Sequence, residues 1–293
     1  MESLNKFSFY TIGGGRAGAS LAYHLLRKGH MLISLVERNP ERYQFLKDEL
    51  GWDFVDTKLD KIKMEKADIF LLTVRDDQIE RLANHLSGIE LPWEKKIIIH
   101  CSGALPSSVL SLIKLKGAVV ASVHPVYSFS LDPRKNQHFE KVCFSIEGDD
   151  QAYDSLCEIF KTDYNLIFPV NEMEKRAIHL ACVFYANFYV ALASQTRQIL
   201  SLMDWSEKQV FEFLNPLLAS SIEQVKETGC NSALTGPIKR GDIETIKNHL
   251  DLLSKNHPDL LKHYILMSKH LLKISGLSPK DADRLLKLLD QYS

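Results

Sequence analysis

The first half of the chain alternates short apolar runs with segments whose apolar residues recur at helical spacing. The runs are rich in isoleucine, leucine, valine and phenylalanine, and polar residues rarely interrupt them. Near-continuous apolar strands separated by helices are typical of a parallel sheet that is covered on both faces. The predicted strands lie at residues 7–12, 31–37, 68–74, 96–101 and 118–123, with a weaker one near 53–55 and two later ones at 143–146 and 165–170.

The pattern changes after about Pro169, where the apolar residues recur at helical spacing alone. Proline and glycine mark the junctions between the helices. The helices predicted in this half span residues 172–203, 207–228, 242–254, 258–274 and 279–291. We therefore predict an α/β domain with a doubly wound, mostly parallel sheet over residues 1–168, followed by an all-α domain over residues 169–293.

The most apolar stretch of the chain, residues 177–193, is about one turn shorter than the roughly 20 residues that a membrane span needs. It also contains His179 and Asn187. A buried helix is the favoured interpretation, and we expect no membrane contact. A long, nearly all-apolar helix is hard to cover within a small domain, so we also predict that the helical domain forms a homodimer.

Composition narrows the function classes. The 293 residues carry a formal net charge of −1, and no basic excess indicates nucleic acid as a partner. The cysteines are odd in number, scattered and absent from Cys-x-x-Cys pairs, so neither a disulfide framework nor a metal site is indicated. No long apolar stretch follows the first residues, which predicts no signal peptide and a cytoplasmic protein. The cysteines are Cys101, Cys143, Cys157, Cys182 and Cys230.

The sharpest local signal is a G-x-G-x-x-G motif over residues 13–18, which follows a predicted strand and opens a predicted helix. Gly13 permits a tight turn, Gly15 lets the backbone approach a pyrophosphate, and Gly18 lets helix and strand pack closely. At the helix start, Arg16 and Ala17 belong to the N-terminus that offers free N–H groups to phosphates. This context predicts a dinucleotide cofactor, NAD or NADP.

The end of the second predicted strand is expected to contact the adenine ribose. An acidic residue at this place usually binds the ribose hydroxyls of NAD, whereas a nearby arginine suits the extra phosphate of NADP. Glu37 favours NAD, while Arg38 and Arg42 favour NADP, so the preference stays open. The loop after the third clear strand should line the same crevice, with Thr73, Val74 and Arg75.

Later segments extend this interpretation across most of the chain. The runs at residues 100–106, 122–125, 146–149, 176–187 and 233–242 together resemble an oxidoreductase family with a Rossmann-like N-terminal domain and a C-terminal domain called DUF2520. That family is similar to pyrroline-carboxylate reductases, ketopantoate reductases, prephenate dehydrogenases and β-hydroxyacid dehydrogenases. The resemblance implies a Rossmann domain joined to a helical domain like that of 6-phosphogluconate dehydrogenase, which commonly dimerises.

The resemblance also implies site residues. Ser102 matches a serine-containing loop of β-hydroxyacid dehydrogenases, and His124 stands in a His-Pro step like the catalytic one of prephenate dehydrogenases. Ketopantoate reductases carry Lys-x-x-x-Asn-x-x-x-Asn on the first helix of their second domain. Here that register gives His179, Val183 and Asn187, so the lysine is replaced, and Lys175 one turn earlier is a weaker candidate for its role.

We therefore expect an NAD(P)-dependent oxidoreductase that moves a hydride between its cofactor and a small carbonyl, imine or hydroxy acid. The expected catalytic residues are Ser102, His124, His179 and Asn187, with the two histidines as rival proton donors and His179 slightly favoured. Loss of the usual lysine favours the alternative, a non-catalytic dinucleotide sensor or dimerisation module.

Overall fold

The computed structural model describes residues 6–293, and the chain divides into two compact units. The first unit extends to Tyr185, and the second is Ala186–Ser293. The absence of a signal peptide was predicted from the first residues of the chain. Residues 1–5 of that segment lie outside the described residues. The domain boundary predicted at residue 168 lies 17 residues before the end of the first unit at residue 185.

An eight-stranded sheet forms the centre of the first unit, in the order β3-β2-β1-β4-β5-β6-β7-β8. All neighbouring strands are parallel except β6 and β7, which pair antiparallel. The predicted strands and the doubly wound, mostly parallel sheet are thus confirmed. The strands are β1 Ser8–Ile12, β2 Met31–Val36, β3 Val55–Asp56, β4 Ile69–Leu72, β5 Ile97–His100, β6 Val119–Val126, β7 Cys143–Gly148 and β8 Ile167–Pro169.

Helices cover both faces of this sheet, and local capping explains where several begin. The Asn39 side chain accepts a hydrogen bond from the Arg42 amide at the start of α2, and Asn171 and Glu174 form a capping box at the start of α7. The α-helices are α1 Arg16–Arg27, α2 Pro40–Gln44, α3 Lys61–Glu65, α4 Asp76–Ser87, α5 Ser111–Lys114, α6 Asp150–Phe160 and α7 Glu172–Cys182. Single π-helical turns follow α2 at Phe45–Glu49 and α7 at Val183–Asn187.

The sheet has a hydrophobic core on each face because successive strand residues point to opposite sides. Phe9 packs with Leu21, Leu35 and Ile99 on one face, while its neighbour Tyr10 packs in the core of the other face. The central strands are therefore buried on both sides. Their carboxyl ends form an edge where β1 and β4 are neighbours, and this is where the strand order reverses.

The second unit is helical throughout, as predicted. Ile246, Leu250, Leu285 and Leu289 form the centre of its core. Its helices are α8 Phe188–Ile199, α9 Glu207–Thr228, α10 Cys230–Ala233, α11 Gly236–Arg240, α12 Ile243–Asn256, α13 Pro258–Ile274 and α14 Pro279–Gln291. The predicted bounds of α9, α13 and α14 are confirmed to the residue.

One expectation about the apolar run at residues 177–193 is wrong. The run is helical but it is not buried: Leu180 is 59% exposed, Tyr185 77% and Val190 66%. Within the part of the chain that the structure describes, there is one helical segment, Glu172–Leu202, that is long enough and apolar enough to cross a membrane, judged by length and composition only. Apolar composition indicates that a surface needs cover, but it does not tell whether the same chain provides that cover.

Candidate cofactor and active site

The glycine motif forms a tight loop between β1 and α1, at the edge where the strand order reverses. Gly13 has a φ of +108°, and its amide donates to the Val36 carbonyl at 2.9 Å. The Thr73 hydroxyl donates to the Gly13 carbonyl at 2.7 Å, and a Cβ on Gly18 would overlap that same carbonyl. At Gly15, by contrast, a Cβ would meet nothing within 4 Å.

A cavity of about 750 Å³ opens beside this loop, within the size range of ligand pockets. Seven of the ten cofactor residues predicted from the sequence line it: Gly13, Gly15, Glu37, Arg38, Thr73, Val74 and Arg75. The open space at Gly15 lies where a pyrophosphate approaches in dinucleotide-binding proteins. The loop and cavity therefore fit a nicotinamide dinucleotide.

The other three predicted cofactor residues do not line this cavity. Gly18 packs against Gly13, and the Arg16 guanidinium donates to the Phe129 carbonyl at 3.2 Å. Ala17 is half-buried against the hydrophobic core. Arg16 and Ala17 keep their predicted place in the first turn of α1, whose preceding residue Gly15 has no side-chain cap.

Sequence reasoning missed several other residues that line the cavity. These come from the turn after β3 and from α4: Thr57, Lys58, Leu59, Gln78, Arg81, Leu82 and His85. β3 is only two residues long, so its carboxyl end was a weak signal. The spacing of residues 78, 81, 82 and 85 along α4 is that of one helix face, and this is the pattern that could have revealed them.

A second group of polar side chains gathers where β5 and β6 end. His124 lies on β6 and His179 on α7, and their rings meet edge to face with centroids 5.5 Å apart. Both rings pack closely against Gly103. A Cβ on this residue would overlap His179 Nδ1 and would lie 2.7 Å from His124 Nε2. Among residues 6–293, the buried Nδ1 atoms of both histidines have no hydrogen-bond partner.

Lys175 lies one turn before His179 on α7 and is only 1% exposed. Its Nζ donates to the Ser102 carbonyl and to the Ser122 hydroxyl, each at 2.5 Å. A buried lysine costs free energy unless it is hydrogen-bonded or paired, so this contact joins the loop after β5 to strand β6. Lys175 was only a minor candidate from sequence, because it lies one turn before His179, the position that corresponds to the lysine of ketopantoate reductases.

The Ser102 hydroxyl makes three hydrogen bonds, one to α4 and two within its own loop. The hydroxyl donates to Asp76 Oδ2 at 2.8 Å and accepts from the amides of Ala104 at 3.1 Å and Leu105 at 3.0 Å. A serine hydroxyl offers one donor and two acceptor sites, and all three are occupied. His100 helps to shape the same loop, since its Nδ1 accepts from the Ser102 amide at 3.3 Å.

Burial sets the charge state of this cluster. Desolvation, followed by the nearby Lys175 ammonium, lowers the pKa of His124 to about 4, and the same two causes lower the pKa of His100 to about 4. Desolvation lowers the pKa of Lys175 to about 8, which leaves it mostly protonated at neutral pH. Burial also raises the pKa of the Cys101 thiol to about 12, so this cysteine is not a nucleophile.

Asn187, the fourth residue predicted to be catalytic, belongs to the second unit and is exposed. It ends the π-helical turn Val183–Asn187, so the four-residue register of His179, Val183 and Asn187 does not keep these residues on one helix face through this turn. Its role stays a prediction.

Two family models match the chain. Residues 9–103 match the NADP oxidoreductase, coenzyme F420-dependent family, and residues 142–271 match the domain of unknown function DUF2520. The chain is an NAD(P)-dependent oxidoreductase with a DUF2520 region. The resemblance inferred from the sequence is thus confirmed, and the sensor alternative is not supported.

Solved structures agree on the fold of the oxidoreductase. A protein from Bacteroides fragilis assigned as an NADP oxidoreductase matches with a TM-score of 0.75 at 23% identity, over 92% of this chain and 98% of that one. An imine reductase from Pseudomonas sp. gives 0.59 at 15% identity, over 98% and 93%. A pyrroline-5-carboxylate reductase from Coxiella burnetii gives 0.58 at 13%, over 99% of each chain. No curated protein matches significantly by sequence.

Proposed function

We propose that the oxidoreductase uses NADPH to reduce a small carbonyl or imine, or oxidises the corresponding hydroxy acid or amine in reverse. The observation that carries this proposal is the meeting of His124 and His179 at Gly103, beside the buried Lys175. The Nδ1 atoms of both rings lack hydrogen-bond partners within residues 6–293, and this supports a role for the two rings in hydrogen-bonding a reacting oxygen or nitrogen.

The charge of the cavity supports NADPH over NADH. Arg38, Lys58, Arg75 and Arg81 all line it, whereas Glu37 is the one carboxylate among its lining residues. A 2′-phosphate adds about two negative charges that arginine and lysine bind well. Arg38 is the second residue after β2, in the segment where the adenine ribose is expected.

The histidines divide the proton chemistry between them. A bound NADPH would supply the hydride, and the reduced oxygen or nitrogen then needs one proton. His124 is neutral at pH 7, so it can donate a hydrogen bond from its N–H but has no imidazolium proton to give. We keep His179 as the favoured proton donor because its register on α7 matches the lysine of ketopantoate reductases, and we assign Ser102 to shaping the loop.

The experiment that tests this function is a screen of NADPH and NADH oxidation against small keto acids, aldehydes and cyclic imines. We expect turnover of at least one class, with NADPH preferred. Binding of both cofactors without oxidation by any class would argue against the proposed reaction.

We further propose that a second copy of the chain covers the exposed apolar surface of Glu172–Leu202. Leu180, Tyr189, Val190 and Leu192 are each at least 40% exposed, and α9 exposes Leu217 as well. Exposed apolar surface of this extent usually marks an interface. Light scattering should give the mass of a dimer at micromolar concentration, and Val190→Asp should shift it to a monomer. A monomeric wild-type protein, or one recovered only with membranes, would contradict the proposal.

A further inference from the structure

The Glu37 carboxylate has an unexpected set of partners for a residue at this place in the fold. Its Oε2 accepts from the Gly14 amide at 2.8 Å, and its Oε1 accepts from the Asn39 amide at 2.7 Å. Both oxygens therefore bond backbone of the chain itself. Each oxygen keeps further acceptor capacity, but rotating the carboxylate away from these amides to face a ribose would leave both amides unpaired, which weakens binding by about tenfold or more.

Arg42 holds the other polar group of Gly14. Its Nε donates to the Gly14 carbonyl at 2.6 Å, and its guanidinium lies over the Phe45 ring, 4.9 Å from the centroid. The two side chains, five residues apart, thus bond the N–H and the C=O of one glycine. The Asn39 side chain caps α2 through the Arg42 amide, so the segment that carries both groups is itself fixed.

Gly14 has no room for a side chain. A Cβ there would lie 2.7 Å from Leu46 Cδ1 and 2.9 Å from Leu35 Cδ2, with Glu37 Oε2 at 3.0 Å. The middle glycine of the loop is therefore held on the inner side, while its neighbour Gly15 faces open space. The loop is preorganised without a ligand.

We propose that Glu37 is a positioning residue that fixes the phosphate loop through the Gly14 amide, and that it does not select NAD over NADP. The proposal rests on the dinucleotide site proposed above, and it reverses the usual meaning of an acidic residue after β2. Selection between NAD and NADP then depends on the cationic side chains that line the cavity, above all Arg38.

Glu37→Gln tests this directly, because the amide places an NH₂ donor against one of the two backbone donors. Glu41→Gln is the matched control, since Glu41 is exposed and lies only four residues after Glu37, in the first turn of α2. Dissociation constants for NADPH and NADH are measured by calorimetry on the full chain. Hydrogen–deuterium exchange of the peptide containing residues 13–15 is followed without ligand.

For Glu37→Gln we expect both dissociation constants to rise by about tenfold or more, with their ratio kept within about threefold. The loop amides should exchange faster, and Glu41→Gln should match wild type in both measurements. Arg38→Ala should weaken NADPH alone. If Glu37→Gln does not fold, Arg42→Met decides, and it should again weaken both cofactors in parallel.

Three results would overturn the assignment. Glu37→Gln could weaken NADH alone, which would make the carboxylate a ribose ligand. It could improve NADPH binding, which would likewise show that the carboxylate selects between the cofactors. It could also leave cofactor binding and amide exchange unchanged, which would remove any positioning role. If wild type binds neither cofactor, the dinucleotide site itself fails, which is a separate outcome.

Discussion

The two polar sites at the carboxyl edge of the sheet differ in how many of their hydrogen-bonding groups find partners within the chain. At the glycine loop, Gly13 and Gly14 are bonded by Thr73, Glu37 and Arg42, and a cavity of about 750 Å³ lies open beside them. At the histidine cluster the groups are packed together, and the buried Nδ1 atoms of both histidines lack partners within residues 6–293. The first site is preformed for binding. The second keeps polar atoms unpaired, which is expected where chemistry is carried out.

The largest effect is expected at Gly15. Gly15→Val fills the space that the pyrophosphate would occupy, so the dissociation constant for NADPH should rise on the order of 10²-fold or more. Thermal stability should change little, because a Cβ there meets nothing within 4 Å. Gly18→Val is the contrasting variant and should destabilise the fold itself, since its Cβ would overlap the Gly13 carbonyl. Unchanged NADPH affinity in Gly15→Val would remove the cofactor from this loop.

The next effect separates binding from chemistry. Once a substrate is found, His179→Ala should lower kcat by roughly 10²-fold while leaving NADPH affinity intact, because a positioned proton donor contributes about that much. His124→Ala is the matched comparison. Loss of activity in His124→Ala together with near-normal turnover in His179→Ala would exchange the two roles.

A smaller effect is expected at Lys175. Lys175→Met removes the contacts to the Ser102 carbonyl and the Ser122 hydroxyl, and kcat should fall about tenfold. In wild type, kcat/KM should fall as the pH rises through about 8, where Lys175 loses its proton. The variant should lack that alkaline limb. A limb that persists in Lys175→Met would assign it to another group.

The smallest effect concerns stability in acid. The pKa of His124 is about 4 in the folded chain against an ordinary 6.5, so between these values the unfolded chain binds a proton that the folded chain does not. The free energy of unfolding should therefore fall as the pH falls from about 6.5 to about 4. Urea titrations at a series of pH values should show that the free energy of unfolding falls less steeply with falling pH in His124→Asn than in wild type. The same pH dependence in both proteins would mean that His124 is not held neutral by burial.

Local signals in the sequence were enough for the fold. The strands are apolar runs because both faces of the sheet are covered. Ser206 caps α9, while α13 and α14 begin at Pro258 and Pro279, and such caps and prolines are the residues that start helices. The glycine motif predicted its loop because Gly13 and Gly18 meet within a few residues of sequence. These features depend on neighbours along the chain.

The features that the sequence did not reveal depend on distant contacts. Lys58 reaches the cavity from the turn after the two-residue strand β3, and Lys175 is buried through bonds to residues 73 and 53 positions away. Glu37 was predicted to face the ribose, whereas the structure bonds both of its oxygens to backbone amides. Residue type and position predict where a side chain starts, but long-range packing decides what it contacts.

The most direct test of the proposed reaction is transfer of deuterium from nicotinamide-deuterated NADPH to the substrate found in the screen. We predict deuterium on the former carbonyl or imine carbon of the product in wild type, loss of NADPH binding in Gly15→Val, and NADPH bound but scarcely oxidised in His179→Ala. Tight NADPH binding by wild type, with no deuterium transferred to any small carbonyl or imine, would contradict the proposed reaction.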